Sequence, residues 1–183
     1  MSRVFVGGSR RISRLNAELR KRLEQIVEKQ LAILVGDANG SDKAIQDFFL
    51  ERNYRNVEVF CTEGHCRNNL GQWPVRAIQP PHHTHDFEYF TAKDAVMARE
   101  ADFGLMIWDG ASAGTLVNVA RLVAFRRPVV VYISPQRRFL TLKSRQDLAV
   151  LLDSCPTPVR SRVSGYIAQH APEYAQPSMF HTG

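Results

Sequence analysis

Leu31-Ala32-Ile33-Leu34-Val35-Gly36-Asp37-Ala38-Asn39-Gly40-Ser41-Asp42 joins a short apolar run to a cluster of glycines, carboxylates, an amide and a hydroxyl. The apolar part reads as a buried strand, and the polar part as a tight turn that opens a helix capped by Ser41 or Asp42. Ala44, Ile45, Phe48 and Phe49 then supply one apolar helical face. A strand that ends in glycine and runs straight into a helix is the unit from which parallel α/β sheets are built.

The same unit recurs on both sides. Upstream, Val4-Phe5-Val6 ends in Gly7-Gly8-Ser9-Arg10 and leads to an amphipathic segment over 13–29 with Leu15, Leu19, Leu23, Ile26 and Val27. Downstream, a third strand is predicted over 57–61, a helix over 91–99 and a fourth strand over 103–108. Asp109-Gly110-Ala111-Ser112-Ala113-Gly114-Thr115 then opens a helix over 116–125. A last strand over 128–133 and a helix over 144–152 complete the regular part. These elements predict an α/β, Rossmann-like three-layer domain over 1–153 with a central, mainly parallel sheet of about five strands. Between 62 and 90 the pattern dissolves into Gly, Pro, Asn and His, which reads as an inserted loop covering part of a site. Residues 154–183 read as an irregular C-terminal tail.

The length of 183 residues suits one domain with a substantial core, and 44% hydrophobic with 23% charged residues excludes disorder for the bulk of the chain. A net charge of +6 favours anionic partners. Arg10, Arg11, Arg14, Arg20, Lys21 and Arg22 form one cluster and Arg126, Arg127, Arg137 and Arg138 another, each readable as a solvated face or as a nucleic-acid contact. No segment approaches membrane-spanning length, and the N-terminus lacks the apolar core of a signal peptide, so a cytoplasmic protein without a membrane partner is expected. The cysteines Cys61, Cys66 and Cys155 leave one thiol over from any single disulfide and suit a reducing compartment. Cys61, His65, Cys66, His82, His83 and His85 contain soft ligands, but their spacing matches no regular zinc motif, so neither a metal nor another cofactor is expected.

Three glycine-rich segments at successive strand ends gather backbone N–H groups, hydroxyls and carboxylates in one place. Helix N-termini are electropositive and carry unpaired donors, which suits a phosphate. Gly7, Gly8, Ser9, Arg10, Gly40, Ser41, Gly114 and Thr115 are the candidate phosphate-holding residues, with Gly36, Asn39, Asp42 and Ser112 beside them. Asp37, Asp109 and Asn118 are candidates for a ribose or base. Trp73, Phe87, Tyr89, Phe90 and Trp108 offer stacking surfaces, of which Trp108 directly precedes the third segment. Catalytic candidates are Asp37, Asp94 and Asp109, although first-turn charge compensation of a helix also explains Asp94.

Val-Gly-Gly-Ser-Arg at 6–10, Gly-Asp-Ala-Asn-Gly-Ser-Asp-Lys-Ala at 36–44 and the run from Ala101 to Thr115 together resemble the SLOG superfamily over about residues 3 to 135. These Rossmann-like domains are related to the DNA-processing protein DprA and to the LOG, or lysine-decarboxylase-like, phosphoribohydrolases. The resemblance implies a nucleotide or nucleotide-derived ligand held between glycine-rich loops, and a homodimer. In the LOG enzymes a catalytic glutamate stands three residues after the Gly-Thr pair, where this chain has Asn118. That departure favours binding or sensing of a nucleotide or nucleoside phosphate over N-glycosidase or ribosyltransferase chemistry. DprA-like binding of single-stranded nucleic acid through the arginine clusters is the other reading.

Overall fold

A computed structural model of the chain describes residues 1–81 and 87–175. Seven strands form one sheet: β1 (Arg3–Gly8), β2 (Ala32–Gly36), β3 (Val57–Thr62), β4 (Val75–Ile78), β5 (Phe103–Trp108), β6 (Val129–Ile133) and β7 (Arg138–Leu142). Their order is β4-β3-β2-β1-β5-β6-β7, parallel throughout except that β7 runs antiparallel to β6. The expected α/β class with a mainly parallel sheet is therefore present, and the sheet is wider than expected.

The strand order reverses between β1 and β5. From β1 the chain builds outward through β2, β3 and β4, then returns to place β5 against the other side of β1. In open α/β sheets the crevice beyond the carboxyl ends of the strands at such a switch point is where ligands bind. Gly8 pairs with Ile107 in the register, so the loops after β1 and β5 leave the sheet side by side.

Alternation along the strands supplies a core on each face. Val4 and Val6 of β1 join Ile33, Val35, Val59 and Ile107 under α1 (Ala17–Glu28) and α2 (Ser41–Glu51), which contribute Leu19, Leu23, Phe48 and Phe49. Phe5 joins Leu34, Phe60, Met106 and Val131 on the opposite face. There α3 (Phe87–Glu100) and α4 (Ala113–Ala124) contribute Met97, Leu116, Val119 and Leu122. The first helix starts at Ala17 rather than 13 because the Asn16 side chain accepts from Leu19 N at 3.0 Å and caps it.

Two regions depart from expectation. Within the inserted loop, β4 adds to the edge of the sheet, and buried Gln46 fastens the preceding turn. Its Nε2 donates to the carbonyls of Gly36 and Asn68, while Oε1 accepts from Leu70 N. The described part of the segment after 154, residues 155–175, is also not irregular. Following α5 (Arg145–Asp153), it forms α6 (Thr157–His170) and α7 (Pro172–Ala175). Val163, Ile167 and Ala171, spaced by four, bury one stripe of α6 against the α4 side of the domain. Among the described residues no helix is long and apolar enough to cross a membrane.

Ile167→Ala removes the centre of that stripe and should lower stability by about 2–4 kcal/mol in urea denaturation. A loss below about 0.5 kcal/mol, the usual effect of a surface substitution, would mean that α6 is not docked.

Candidate functional site

The loops after β1 and β5 are stapled together before any ligand arrives. Ser9 N donates to the Ile107 carbonyl at 2.9 Å, and Ser9 Oγ donates to Asp109 Oδ2 at 2.9 Å. The other oxygen of Asp109 accepts from Ala111 N at 3.0 Å and Ser112 N at 2.6 Å. Burial pushes the Asp109 carboxyl up, but these amides and the Ser9 hydroxyl outweigh it and hold the group below the usual carboxylate range. Asp109 thus shapes the turn that opens α4, with three hydrogen bonds accepted from inside the protein. Ser112, at the N-cap of that helix, makes no side-chain cap bond to it.

The second glycine segment buttresses the first. Ser41 Oγ and Ser41 N both donate to the Ser9 carbonyl, at 2.8 and 3.2 Å. Gly40 has φ +83°, and a Cβ there would stand 2.3 Å from the Arg10 carbonyl oxygen, so the two loops touch backbone to backbone. Asp37 receives a bidentate Arg67 guanidinium at 2.9 and 3.1 Å together with Arg67 N at 3.0 Å. Asn39 accepts from Asn68. Gly36 leaves space for its neighbours, since a Cβ there would lie 2.4 Å from Asp42 Oδ2 and 2.9 Å from Lys93 Nζ. Gly36, Asp37, Asn39, Gly40 and Ser41, expected to face a ligand, form the foundation of the site instead.

Lys93 lies at the centre of that foundation. Its ammonium is buried, donates to Asp94 Oδ1 at 2.8 Å and stands 3.8 Å from Asp37 Oδ1. Burial opposes its charge, but Asp94, Asp42 and Asp37 together raise its pKa above the ordinary lysine value. Asp42, also buried, is pushed up to about 6 by desolvation, against the pull of Lys93. On the other side, Asn118 Nδ2 donates to Asp94 Oδ2 at 2.9 Å, and Arg121 donates to Asn118 Oδ1 at 3.1 Å. Arg121 is itself buried, donates to the His170 carbonyl and faces Glu173. A continuous polar chain therefore runs beneath the site from Arg67 to the end of α6.

Above this chain opens a cavity of about 410 Å³. Gly8, Ser9, Arg10 and Arg11 form one wall, and residues 111–115 at the start of α4 form the facing one. Phe90, Thr91 and Asp94 of α3 line it together with Asn118 of α4, and α6 closes it with Arg162 and Tyr166. Arg162 donates to the Ala111 carbonyl at 2.5 Å and ties α6 to the β5–α4 turn. A smaller recess of about 50 Å³ shares Gly8, Arg10, Phe90, Asp94 and Asn118 with the cavity and adds Gly7, Asp42 and Lys93.

Of the residues expected at the site, Gly8, Ser9, Arg10, Asp94, Ser112, Gly114, Thr115 and Asn118 line the cavity, and Gly7 and Asp42 border the recess. Trp108 does not: it is buried in the core, and its Nε1 donates to the Ser112 carbonyl at 3.0 Å. Its ring supports the turn and offers no face to a base. Phe90, offered as a stacking surface, lines the cavity, while sequence reasoning missed Thr91, Arg162 and Tyr166. The four-residue spacing of Val159, Val163 and Ile167 was a readable sign of the helix that carries the last two.

Cys61 and Cys66 are joined in a disulfide, and Cys155 is the thiol left over. Among the described residues no group of three or more His, Cys, Asp or Glu is arranged to hold a metal ion. His82, His83 and His85 lie outside the described residues.

Fold and site together define a Rossmann-like α/β domain with a mixed-charge cavity at the topological switch point. Among solved structures the chain is similar to DNA processing protein A from Helicobacter pylori, described for its unique single-stranded DNA binding mode. The TM-score is 0.55 at 13% identity, covering 92% of this chain and 81% of that one. This is a likeness of fold. No family model matches the chain, and no curated protein matches it in sequence.

Because the folded-state carboxyl of Asp42 titrates above its unfolded value, the folded protein holds an extra proton between about pH 4 and 6. The contribution of Asp42 to stability falls as pH rises through that window. Asp42→Asn should remove this slope, improving stability relative to wild type by about 1–3 kcal/mol more at pH 8 than at pH 4.5. Equal differences at both pH values in urea denaturation would contradict the assignment.

Proposed function

We propose that the chain binds a nucleotide or a related nucleoside phosphate in the cavity between the β1 and β5 loops, in keeping with its resemblance to the SLOG superfamily. The observation that carries this reading is that Arg10 and Arg11 of the β1 loop and Arg162 of α6 line the same cavity as the start of α4. The first turn of that helix presents the amides of residues 113–115 with no side-chain cap from Ser112. Positive charge from the β1 loop and α6, with oriented donors and small side chains at the start of α4, suits a phosphate. Asp94 and Asn118 supply an acceptor-rich floor for the sugar. A volume of about 410 Å³ lies within the ordinary range of roughly 300–1,000 Å³ for small-molecule sites. Holding is favoured over cleavage because position 118 carries an amide whose two ends are engaged by Asp94 and Arg121.

Titration calorimetry with nucleoside monophosphates should show saturable binding. Arg162→Ala should weaken it at least about tenfold through loss of a charge-assisted contact. Gly114→Asp should abolish it while leaving stability unchanged or slightly raised, because a carboxylate in the first turn suits the helix but repels an anion. Absence of binding by folded wild-type protein would refute the reading.

A second reading is favoured by the structural neighbour, which is described for binding single-stranded DNA. It predicts affinity for an oligodeoxynucleotide that falls steeply with salt. Strong oligonucleotide binding without mononucleotide binding would replace the first reading with the second.

A further inference from the structure

We infer that Asp94 reads two adjacent hydroxyls of the ligand's sugar, so that the site takes ribonucleotides in preference to their 2′-deoxy counterparts. This rests on the nucleotide reading above and specifies the class of sugar.

Among the described residues, Asp94 is the single carboxylate that lines the main cavity. Its side chain keeps 16% of its exposure, against 3% for Asp37. Each of its oxygens is anchored from inside the protein, Oδ1 by Lys93 Nζ and Oδ2 by Asn118 Nδ2. The orientation of the Asn118 amide follows from Arg121, which can only donate and therefore faces Oδ1, turning Nδ2 toward Asp94.

A carboxylate oxygen accepts about two hydrogen bonds. With one taken on each oxygen, Asp94 presents two remaining acceptors side by side, rigidly held, and a ligand must answer them with two donors. Vicinal cis hydroxyls of a ribose have that spacing. The recess beside Asp94 holds about 50 Å³, and on the same measure about 10–15 Å³ is enough for a water molecule. Hydroxyl-sized groups fit there. Residues 112–115, proposed to hold the phosphate, lie at the start of α4, and Asn118, which donates to Asp94, is one turn further along the same helix. A sugar between phosphate and Asp94 follows the order of groups in a nucleoside 5′-phosphate.

The test is calorimetry of the full chain with AMP, GMP, CMP and UMP, each compared with its 2′-deoxy and 3′-deoxy counterparts. Wild-type protein should bind each ribonucleotide about tenfold to a hundredfold more tightly than either deoxy form, because a missing hydroxyl leaves a charged acceptor unanswered. Asp94→Asn should bring the ratios close to one. Should that variant fold poorly, the wild-type ratios decide alone. Equal affinity for ribo and deoxy forms overturns the inference and leaves nucleotide binding standing. A preference for GMP that ignores the sugar also overturns it, by assigning Asp94 to a base edge. Failure of every nucleotide to bind overturns both readings together.

Discussion

Lys93 Nζ is the charge on which the site is built. Three carboxylates, Asp37, Asp42 and Asp94, come from the β2–α2 turn, the first turn of α2 and α3, and each is partly or wholly withdrawn from water. Without a buried cation they would repel one another, and removing one partner from such an arrangement typically costs about 3–5 kcal/mol. With it, the β2–α2 turn, α2 and α3 are locked in one geometry, and the side chain next to Lys93 is turned into the cavity. Arg67 neutralises the far end, and Arg121 holds the near end through Asn118. Apart from Arg121 Nε, which has Glu173 only at 3.7 Å, the network is internally paired, which is the condition under which buried polar groups rigidify a structure.

The sheet puts this network where it matters. Reversal of strand order at β1 and β5 opens a crevice at their carboxyl ends, and Ser9, Ser41 and Asp109 close the loops around it through hydrogen bonds that need no ligand. The cavity is thus preorganised: the β1 loop and the start of α4 wall it, and Asp94 lines it from α3. The third wall comes from α6, whose attachment depends on an apolar stripe and on Arg162 reaching the Ala111 carbonyl. A segment beyond the last strand therefore completes the site.

Much of this was legible in the sequence because strand and helix periods are local properties. The strands carrying Val4-Phe5-Val6, Leu34-Val35 and Leu105-Met106-Ile107, and the polar turns after them, follow directly from apolar runs ending in glycine. What those turns do was less legible. Gly36 and Gly40 read as places for a ligand to approach, yet the groups that approach them are Asp42, Lys93 and the Arg10 backbone. Asp37 could not be told from a ligand-binding carboxylate because its partner, Arg67, is thirty residues away in an irregular loop. Trp108 sits beside the third segment in sequence, but strand alternation sends its ring into the core. α6 was obscured by its Ser, Arg and Pro content, while β4 is only four residues long and half exposed at the sheet edge. In each case the deciding information was a tertiary contact.

The central claim is that the β1 and β5 loops with α6 form one nucleotide cavity. Its most direct test is a crystal structure of the protein with a bound nucleoside monophosphate. The account predicts the phosphate against the amides of residues 113–115, within hydrogen-bond distance of Arg162, and the sugar directed at Asp94. A nucleotide lying elsewhere on the surface, or one seated in the cavity with its phosphate away from the start of α4, would contradict it.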